Sequence, residues 1–482
     1  MPARPSNPDV QAAALAAAAT DIQLRIGLDL HRGVDVPRGR VIAWAMFDWA
    51  LQPFATVILT FVFTAMYLTS DVFLDQQVVA EQGLEAAQAQ LSSGLGLAIT
   101  IAGILIALVA PVLGQWADAG GHRKKWLFWS TALLLLTMGA MFFVEADPRF
   151  FWLGAGLVAL GSVLNQVSET NYNAMIVSVA SPTTVGRVSG LGWGMGYSGG
   201  VVALLLIAAG PLTDLFAVDE AAYDNGIVFR WIALASVLWA VAFGWPLFKY
   251  VPEVVVERRE RAPLFQAYRD LFALIANLWR NSRETFWFLL SSAIFRDGLS
   301  GVFAFGAIIA AVAFGFSGEE VLIFGIAANL VAGVSTILVG RLDDRLGPRR
   351  VIVGALATLV AVGLLVVAFH EQGAIVFWIG GLILCCTVGP AQAASRSFLA
   401  RRIPAGHESE LFALYATTGK AASFIAPAMW TLFISLTGAT IWGTLGILLV
   451  VLVGLVMLLV TTSAANDSPR RALPDVGQMA GE

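Results

Sequence analysis

Charge is what this chain has least of. Only 13% of its 482 residues are Asp, Glu, Lys or Arg, whereas 58% are hydrophobic. Because a soluble globular domain carries about 25% charged residues, the composition excludes an ordinary water-soluble protein. Apolar runs of about 18 residues or more recur, and each is long enough to cross a bilayer core about 30 Å thick as a helix. We predict an all-α polytopic membrane protein.

Cysteine and histidine are also scarce, which argues against several kinds of site. Cys385 and Cys386 are adjacent within an apolar run, a spacing that suits neither a disulfide framework nor a metal site. The four histidines lie outside the apolar runs or at their edges. Without a nucleophile–base or metal constellation, we expect no enzyme activity, no cofactor and no metal. The net charge of −4 favours no particular partner, and we expect no nucleic acid.

The apolar windows predict twelve membrane spans. Their approximate bounds are 41–69, 93–115, 126–144, 150–178, 187–210, 228–249, 285–313, 320–340, 350–369, 374–394, 409–435 and 439–462. Of the 29 Lys and Arg residues, only Arg149 and Arg230 fall in or at the edge of loops on one side, and Arg296 and Lys420 fall deep within spans. Basic loops stay in the cytoplasm, so we predict a multi-pass protein of the cell (inner) membrane with both termini cytoplasmic.

These spans divide the chain into five parts. We predict an N-terminal tail, a six-helix bundle, a cytoplasmic linker, a second six-helix bundle and a C-terminal tail, at 1–40, 41–250, 251–284, 285–462 and 463–482. In the linker, one helical face is apolar and three arginines lie around it (Leu264, Tyr268, Leu271, Ile275 and Leu278; Arg269, Arg280 and Arg283). This pattern is typical of a helix in the headgroup region.

Two polar elbows repeat along the chain. The first elbow, "VLGQWADAGGHRKKWLFW" (112–129), resembles the second, "VGRLDDRLGPRRVI" (339–352), with Asp118 and Asp344 226 residues apart. Likewise, "SGLGWGMGYSGG" in span 5 aligns with "FALYATTGKAAS" in span 11, 223 residues later. The repeat predicts two halves around a central site, the plan of transporters that rock two bundles against each other.

A carboxylate in an elbow could meet the positive N-terminus of a neighbouring helix. Such a contact would hold the halves together in one state and release them in the next, whereas the alternative is a loop that only sets topology. Because the elbow occurs twice in matching places, we favour the interpretation as a gate. Its candidate residues are Gly114, Asp118, Gly121, Arg123, Gly340, Asp344, Arg345, Gly347 and Arg349.

The elbow residues resemble the loop signature of the major facilitator superfamily. The first copy departs from it at Ala119 and His122, where the family usually has a base. More narrowly, the chain resembles the vacuole-effluxer-like branch, related to the autophagy-associated amino-acid exporters of fungal vacuoles, in "AWAMFDWALQPFATVILTFVF", "GRVSGLGWGMGYSGG", "FRDGLSGVFAFGA" and "SRSFLA…ELFALYATTGK". The resemblance implies twelve transmembrane helices in two pseudo-symmetric six-helix bundles, the major facilitator fold.

Five ionisable residues stand out well inside the predicted spans: Asp48, Glu169, Arg296, Asp297 and Lys420. Each costs roughly 2.5–3.5 kcal/mol at the bilayer centre, so such residues usually face a cavity or a partner. Asp48 and Arg296 lie in equivalent spans of the two halves. They could form a structural ion pair or belong to a substrate or proton site, unless the span edges are misplaced.

Span 4 carries a polar stripe. Asn165, Glu169 and Asn173 share one helical face, with Tyr172 beside them. The stripe indicates either a cavity lining, which Gln52 and Gln392 could extend, or hydrogen bonds between helices.

Acids and bases at similar depth suit a ligand that bears both charges. We therefore predict a secondary transporter that moves a small zwitterionic solute by alternating access; the resemblance implies export and the amino-acid class. Burial could let Asp48, Glu169 or Asp297 carry a coupling proton. The alternatives are a multidrug-type exporter of hydrophobic compounds and a transporter-like receptor or sensor. The expected partners are the small-molecule substrate, a candidate coupling proton and the lipid bilayer, and we expect a monomer.

Overall fold

The computed structural model describes residue 28 and residues 35–120, 122–209, 225–253, 263–316, 318–403, 407–437 and 439–462. Most of the N-terminal tail and all of the C-terminal tail lie outside these ranges. Within them, the regular structure is entirely helical. Eleven helical segments of the described residues are long and apolar enough to cross a membrane, in agreement with the predicted polytopic class.

The described residues of the first half form seven α-helices. They are α1 (Arg38–Pro53), α2 (Gln76–Gln82), α3 (Leu84–Gly120), α4 (Arg123–Ala140), α5 (Phe151–Ala174), α6 (Val185–Ala209) and α7 (Ile227–Tyr250). The remainder comprises α8 (Leu264–Asn281), α9 (Arg283–Ile308), α10 (Gly318–Leu346), α11 (Pro348–Ala368), α12 (Ala374–Ala400), α13 (Glu408–Ala422), α14 (Ile425–Thr437) and α15 (Thr440–Thr461). Each of the twelve predicted spans coincides with one or two of these helices.

Helix α6 is the predicted span that the eleven apolar segments do not include. Its 25 residues are long enough to cross a bilayer, but its glycines, its serines and Arg187 make its first turns less apolar. It packs between α1 of its own half and α10 of the other half. Because these neighbours cover it, α6 needs little apolar surface toward lipid.

Proline shapes the helix that begins the first half. Pro53 lies at the end of α1, and it lacks the N–H that a continuing helix would use. The chain then winds through wider π-type turns at Phe54–Phe61 and Phe63–Leu68. Such turns are frequent at functional sites, and they follow directly on the turns that carry Asp48 and Gln52.

Two predicted spans differ from the helices of the structure. Span 11 has close to its predicted extent, since Glu408–Thr437 is one apolar segment, but it divides into α13 and α14. The buried Asp297 accepts a hydrogen bond of 2.6 Å from the N–H of Ala426 in the first turn of α14. Span 10 does not end at residue 394 but continues to Ala400. The longer helix carries Arg396 in its last turns, a residue that the sequence analysis left outside the spans.

The linker helix α8 is amphipathic, as predicted. Ala267 and Leu278 are buried against the protein, and the hydroxyl of Tyr268 donates a 2.8 Å hydrogen bond to the carbonyl oxygen of Leu108 in α3. Phe265 and Phe272 point outward, 85% and 67% exposed. The placement of α8 in the headgroup region remains a prediction, as does the division of the chain at 251–284.

The two halves meet through equivalent helix pairs. Helix α3 of the first half packs against α13 of the second, and α10 of the second packs against α6 of the first. In the sequence repeat, α3 corresponds to α10 and α6 to α13. The two contacts are therefore one contact seen twice about a pseudo-twofold axis, as the resemblance to the major facilitator superfamily implies.

Glycine permits the close approach of these pairs. A Cβ on Gly114 of α3 would lie 2.6 Å from the carbonyl oxygen of Ser409, and one on Gly340 of α10 would lie 2.8 Å from that of Gly186. A Cβ on Gly190 of α6 would lie 2.6 Å from the carbonyl oxygen of Thr336. Small residues at helix interfaces in membranes allow this kind of packing.

Gly190→Ala should therefore destabilise the closed bundle. The added methyl group meets backbone rather than a movable side chain, and overpacking of this kind costs about 1–3 kcal/mol. Gly325→Ala in α10 is the matched control, because nothing lies within 4 Å of a Cβ there and alanine favours a helix by up to ~1 kcal/mol. Thermal unfolding of the purified protein should show a lower Tm for the first variant only. Equal Tm values would contradict the packing argument.

Candidate functional site

The first elbow caps a helix of the other half. Asp118, at the end of α3, accepts hydrogen bonds from the backbone N–H groups of Ser409 (3.1 Å) and Glu410 (2.8 Å) in the first turn of α13. The first N–H groups of a helix have no partner within the helix, and the helix dipole favours a negative charge beside them. The buried Asp118 carboxylate supplies both the acceptors and the charge.

The second elbow caps the equivalent helix of the first half. Asp344, at the end of α10, accepts hydrogen bonds from the N–H groups of Gly186 (2.7 Å) and Arg187 (3.0 Å) in the first turn of α6. These two residues precede Ser409 and Glu410 by 223 residues each, which is the offset of the aligned span 5 and span 11 motifs. The caps are thus twofold equivalents, and the end of the bundle that holds them, the elbow end, is closed.

Ion pairs reinforce the caps differently in the two elbows. Arg123 donates to Asp118 (2.7 Å) and also reaches Glu408, and all three side chains are buried. In the second elbow, Arg401, the residue that follows α12, takes this position, with Nη2 lying 3.3 Å from both Asp343 and Asp344.

The other predicted gate residues have varied surroundings. Arg349 donates to the hydroxyl of Thr462 (2.8 Å) and not to an acid of the second elbow. Arg345 is exposed, and Gly347 turns the chain with a φ of +89° that other residues rarely adopt. Gly121 lies outside the described residues. Gly114 and Gly340 provide the close helix contacts described above.

Three of the predicted polar residues form the centre of the interface between the halves. Asp48 on α1 is half-buried and lies within electrostatic range of Glu169 on α5 and of Arg396 on α12. Glu169 accepts a long hydrogen bond of 3.5 Å from Gln166. Asn173 on α5 accepts a 2.8 Å hydrogen bond from Arg396.

Aromatic rings surround this polar centre. Trp44 of α1 stacks on Tyr172 of α5 with ring centroids 4.5 Å apart, and its indole N–H donates to the carbonyl oxygen of Tyr172 at 3.1 Å. Phe47 stacks on the same tyrosine at 5.3 Å. Buried rings of this kind hold α1 against α5, so they fix the position of the acids on both helices.

The structure does not pair Asp48 with Arg296. The guanidinium of Arg296 lies 3.9 Å from the ring centroid of Tyr415 on α13, and its Nη1 donates to the carbonyl oxygen of that residue at 3.2 Å. Asp297 points elsewhere, into its cap on α14. Lys420 is exposed, and it lies on the same helical face as Ala413, which contacts α3 of the first half.

The predicted amides lie beside this centre. The side chain of Gln52 donates to the hydroxyl of Thr56 at 3.1 Å and packs near Gly196 and Gly200 of α6. Asn165 and Gln392 are half-buried, the latter one turn before Arg396 on α12. In the described part of the chain, no group of three or more His, Cys, Asp or Glu residues could hold a metal ion.

Sequence reasoning missed several residues of the site. It missed Arg396 because span 10 was ended too early, and it counted Arg401 only as a charge that sets topology. The doubled carboxylate in "RLDDRL" was the available signal for Asp343, and the acidic pair in "HESE" was the signal for Glu408 and Glu410 at the start of α13.

Comparison with known proteins gives consistent results. Residues 178–466 match the family model described as "Vacuole effluxer Atg22 like". An uncharacterized MFS-type transporter of Bacillus subtilis (strain 168), YxiO, is 25% identical over 418 residues, which are 86% of this chain and 93% of that protein. Autophagy-related protein 22 of Cryptococcus neoformans is 30% identical over 185 residues, covering 34% of this chain and 32% of that protein.

Solved structures share the fold. The proton:xylose symporter XylE, a protein of the major facilitator superfamily, superposes with a TM-score of 0.68 at 13% sequence identity, covering 87% of this chain and 94% of that one. At this identity the likeness shows the fold alone.

Asp118→Asn should open the elbow end. The substitution removes the charge and one acceptor from the cap on α13, and the loss of a helix cap costs about 1 kcal/mol or more. Since about 1.4 kcal/mol is a tenfold change in an equilibrium, we expect the elbow-open population to rise about tenfold. Spin labels at Lys125→Cys and Arg350→Cys, both exposed at the elbow end, in a Cys385→Ala, Cys386→Ala background, would report the distance between the halves.

Asp147→Asn is the matched control for this experiment. Its carboxylate also caps a short helical turn, but it does so in a loop at the other end of the bundle. The control should leave the spin-label distances unchanged. A distance distribution that Asp118→Asn leaves untouched would show that the cap does not hold the halves together.

Proposed function

The chain belongs to the vacuole effluxer Atg22-like family of the major facilitator superfamily, and from this premise we propose that it exports a small zwitterionic solute of the amino-acid class. It is a multi-pass membrane transporter of this superfamily; the substrate, the direction and the coupling are the proposal. The family description, an effluxer, supports export. The clustering of basic residues supports a cell membrane location with the elbow end in the cytoplasm.

The proposal of a zwitterionic substrate rests on the separation of charge between the two halves. The first half contributes the carboxylates of Asp48 and Glu169, and the second half contributes the cations of Arg296 and Lys420. Glu169 and Arg296 both lie within electrostatic range of Tyr415, which supports a binding space between the acid and the base. A zwitterion between them would place its ammonium group toward the first half and its carboxylate toward the second.

Such a ligand would join both halves, as alternating access requires. While the elbow end is closed, the caps of Asp118 and Asp344 would exclude the cytoplasm, and the central residues would be reached from the opposite end. Breaking the caps would let the halves rock and expose the same residues to the cytoplasm. In this scheme the caps act as the gate, and the polar stripe of Asn165, Glu169 and Asn173 lines the path.

We further propose that a proton drives export. Asp48 is the proposed carrier, because its half-buried carboxylate lies near the centre of the interface between the halves. Protonation from outside would return the emptied transporter to its cytoplasm-open form. This scheme makes export depend on the pH gradient across the membrane.

Proteoliposomes test the substrate class. Purified protein should exchange radiolabelled amino acids across the membrane, and Arg296→Gln should raise KM about tenfold or more, since a hydrogen bond to a charged group contributes about 1.5–3 kcal/mol. Arg149→Gln is the control, because that arginine is exposed in a loop. If hydrophobic cations displaced a bound probe and amino acids did not, the multidrug-type alternative would replace this proposal.

The same vesicles test the coupling. An imposed pH gradient should accelerate transport by the unchanged protein, and Asp48→Asn should abolish that response while exchange at equal pH continues. Asp75→Asn, in a loop turn outside the spans, should respond as the unchanged protein does. Transport that ignores the gradient, together with an active Asp48→Asn variant, would refute proton coupling.

A further inference from the structure

Arg396 crosses from one half into the other. It lies on α12 of the second half, yet its side chain is buried, only 3% exposed, among residues of the first half. Its Nε donates to the hydroxyl of Ser189 (2.9 Å), its Nη2 to the carbonyl oxygen of Ser189 (2.6 Å) and its Nη1 to Asn173 (2.8 Å). These bonds satisfy three nitrogen atoms of the guanidinium with partners that carry no charge.

The first half forms an aromatic socket for this guanidinium. Its central carbon lies 5.1 Å from the ring centroid of Trp44 and 5.8 Å from those of Tyr172 and Trp193, within the range of cation–π attraction. Gly192 leaves the necessary room, because a Cβ there would lie within 3 Å of Arg396, Trp44 and Tyr172. The socket therefore requires glycine at this position as well as the three rings.

The acids of the central site balance the charge in the socket. On one face of α6, Arg396 lies against Gly192, and the carboxylate of Asp48 lies against Gly196, one turn further along. The acid and the guanidinium therefore attract each other. Glu169 acts on Tyr172, whose ring is part of the socket. A guanidinium withdrawn from water needs nearby negative charge, since an uncompensated buried charge is strongly destabilising.

Helices α6 and α7 bring aromatic side chains toward α1 near Asp48. Helix α6 brings Tyr197 near Asp48 as a further titratable side chain, and α7 presents the rings of Trp239 and Phe243 to the neighbouring Trp49. The charges that face Asp48 are thus Glu169, from its own half, and Arg396, from the other.

Arg396 also lies close to the elbow end. It is four residues, or ~6 Å, from the end of α12, where Ser397 donates to Asp343 and Arg401 reaches both acids of the second elbow. Opening the elbow end moves α12 away from α5 and α6, so Arg396 must leave its socket. Its retention in the socket therefore resists opening.

We propose that Arg396 is a latch that holds the elbow end closed, and that the negative charge of Asp48 determines how firmly the latch is held. Neutralisation of Asp48 by a proton weakens the hold on the guanidinium, the socket releases it, and the halves part at the elbow end. The central site thereby controls the gate through one positioning residue. This inference rests on the proposed function only in assigning the proton to Asp48.

A double-mutant cycle tests the latch without any solute. The labels at Lys125 and Arg350 report the elbow-open population in Arg396→Gln, in Asp48→Asn and in the double variant. Arg396→Gln should raise that population tenfold or more, and Asp48→Asn should raise it less. The double variant should match Arg396→Gln alone, because Asp48 acts through the arginine. A merely structural role for the two residues would make the effects additive.

Two further variants complete the cycle. In Arg401→Gln, which weakens the second elbow directly, the effect of Asp48→Asn should persist undiminished. Arg396→Lys keeps the charge but not the three hydrogen bonds, so it should open the elbow end less than Arg396→Gln and should keep part of the response to Asp48→Asn. It also serves in the cycle if Arg396→Gln does not fold.

An additive double variant, or an elbow end that Arg396→Gln leaves closed, would overturn the latch. Because the cycle measures conformation alone, it is independent of the transport assays. Failure to export amino acids would therefore refute the proposed substrate and leave the latch standing.

Discussion

Two carboxylates, each at the end of a helix in one half, accept hydrogen bonds from the first N–H groups of a helix in the other half. Asp118 caps α13, and Asp344 caps α6. The strength of this interaction comes from unpaired N–H groups and a helix dipole that meet an acid. At the first cap, which is buried, little water competes with the bonds, whereas the second cap is partly exposed.

The rest of the interface depends on these caps being made. The helices of each pair come close enough only because Gly114 and Gly340 carry no side chain. With the elbow end closed, α12 is brought against the first half, and Arg396 reaches Ser189 and Asn173. The central charges then lie within one another's range. The gate and the polar centre are therefore parts of one contact surface, and a change at either alters the other.

Two kinds of feature could be predicted from the sequence: those that repeat along the chain, and charged residues within the spans, which are costly in lipid. The two elbows stood out because polar residues interrupt apolar runs twice at one spacing, and the helix-capping role of Asp118 and Asp344 followed from their position at helix ends. Asp48 and Glu169 stood out because charge within a span is costly.

What the sequence did not reveal depends on contacts between distant segments. Arg396 was indistinguishable from a basic residue that follows a span, and only the fold brings Ser189 and Asn173 to it. The break between α13 and α14 was hidden because both parts are apolar, although Asp297 caps the second.

Residue-resolved hydrogen–deuterium exchange tests the central claim most directly. The N–H groups of Ser409 and Glu410 and those of Gly186 and Arg187 should exchange at least about tenfold more slowly than first-turn amides of α8, whose start has no side-chain cap. In Asp118→Asn, protection should fall at both helix starts, including the one where Asp344 is unchanged. Fast exchange in the unchanged protein, or a loss confined to α13, would contradict a gate closed by two coupled caps.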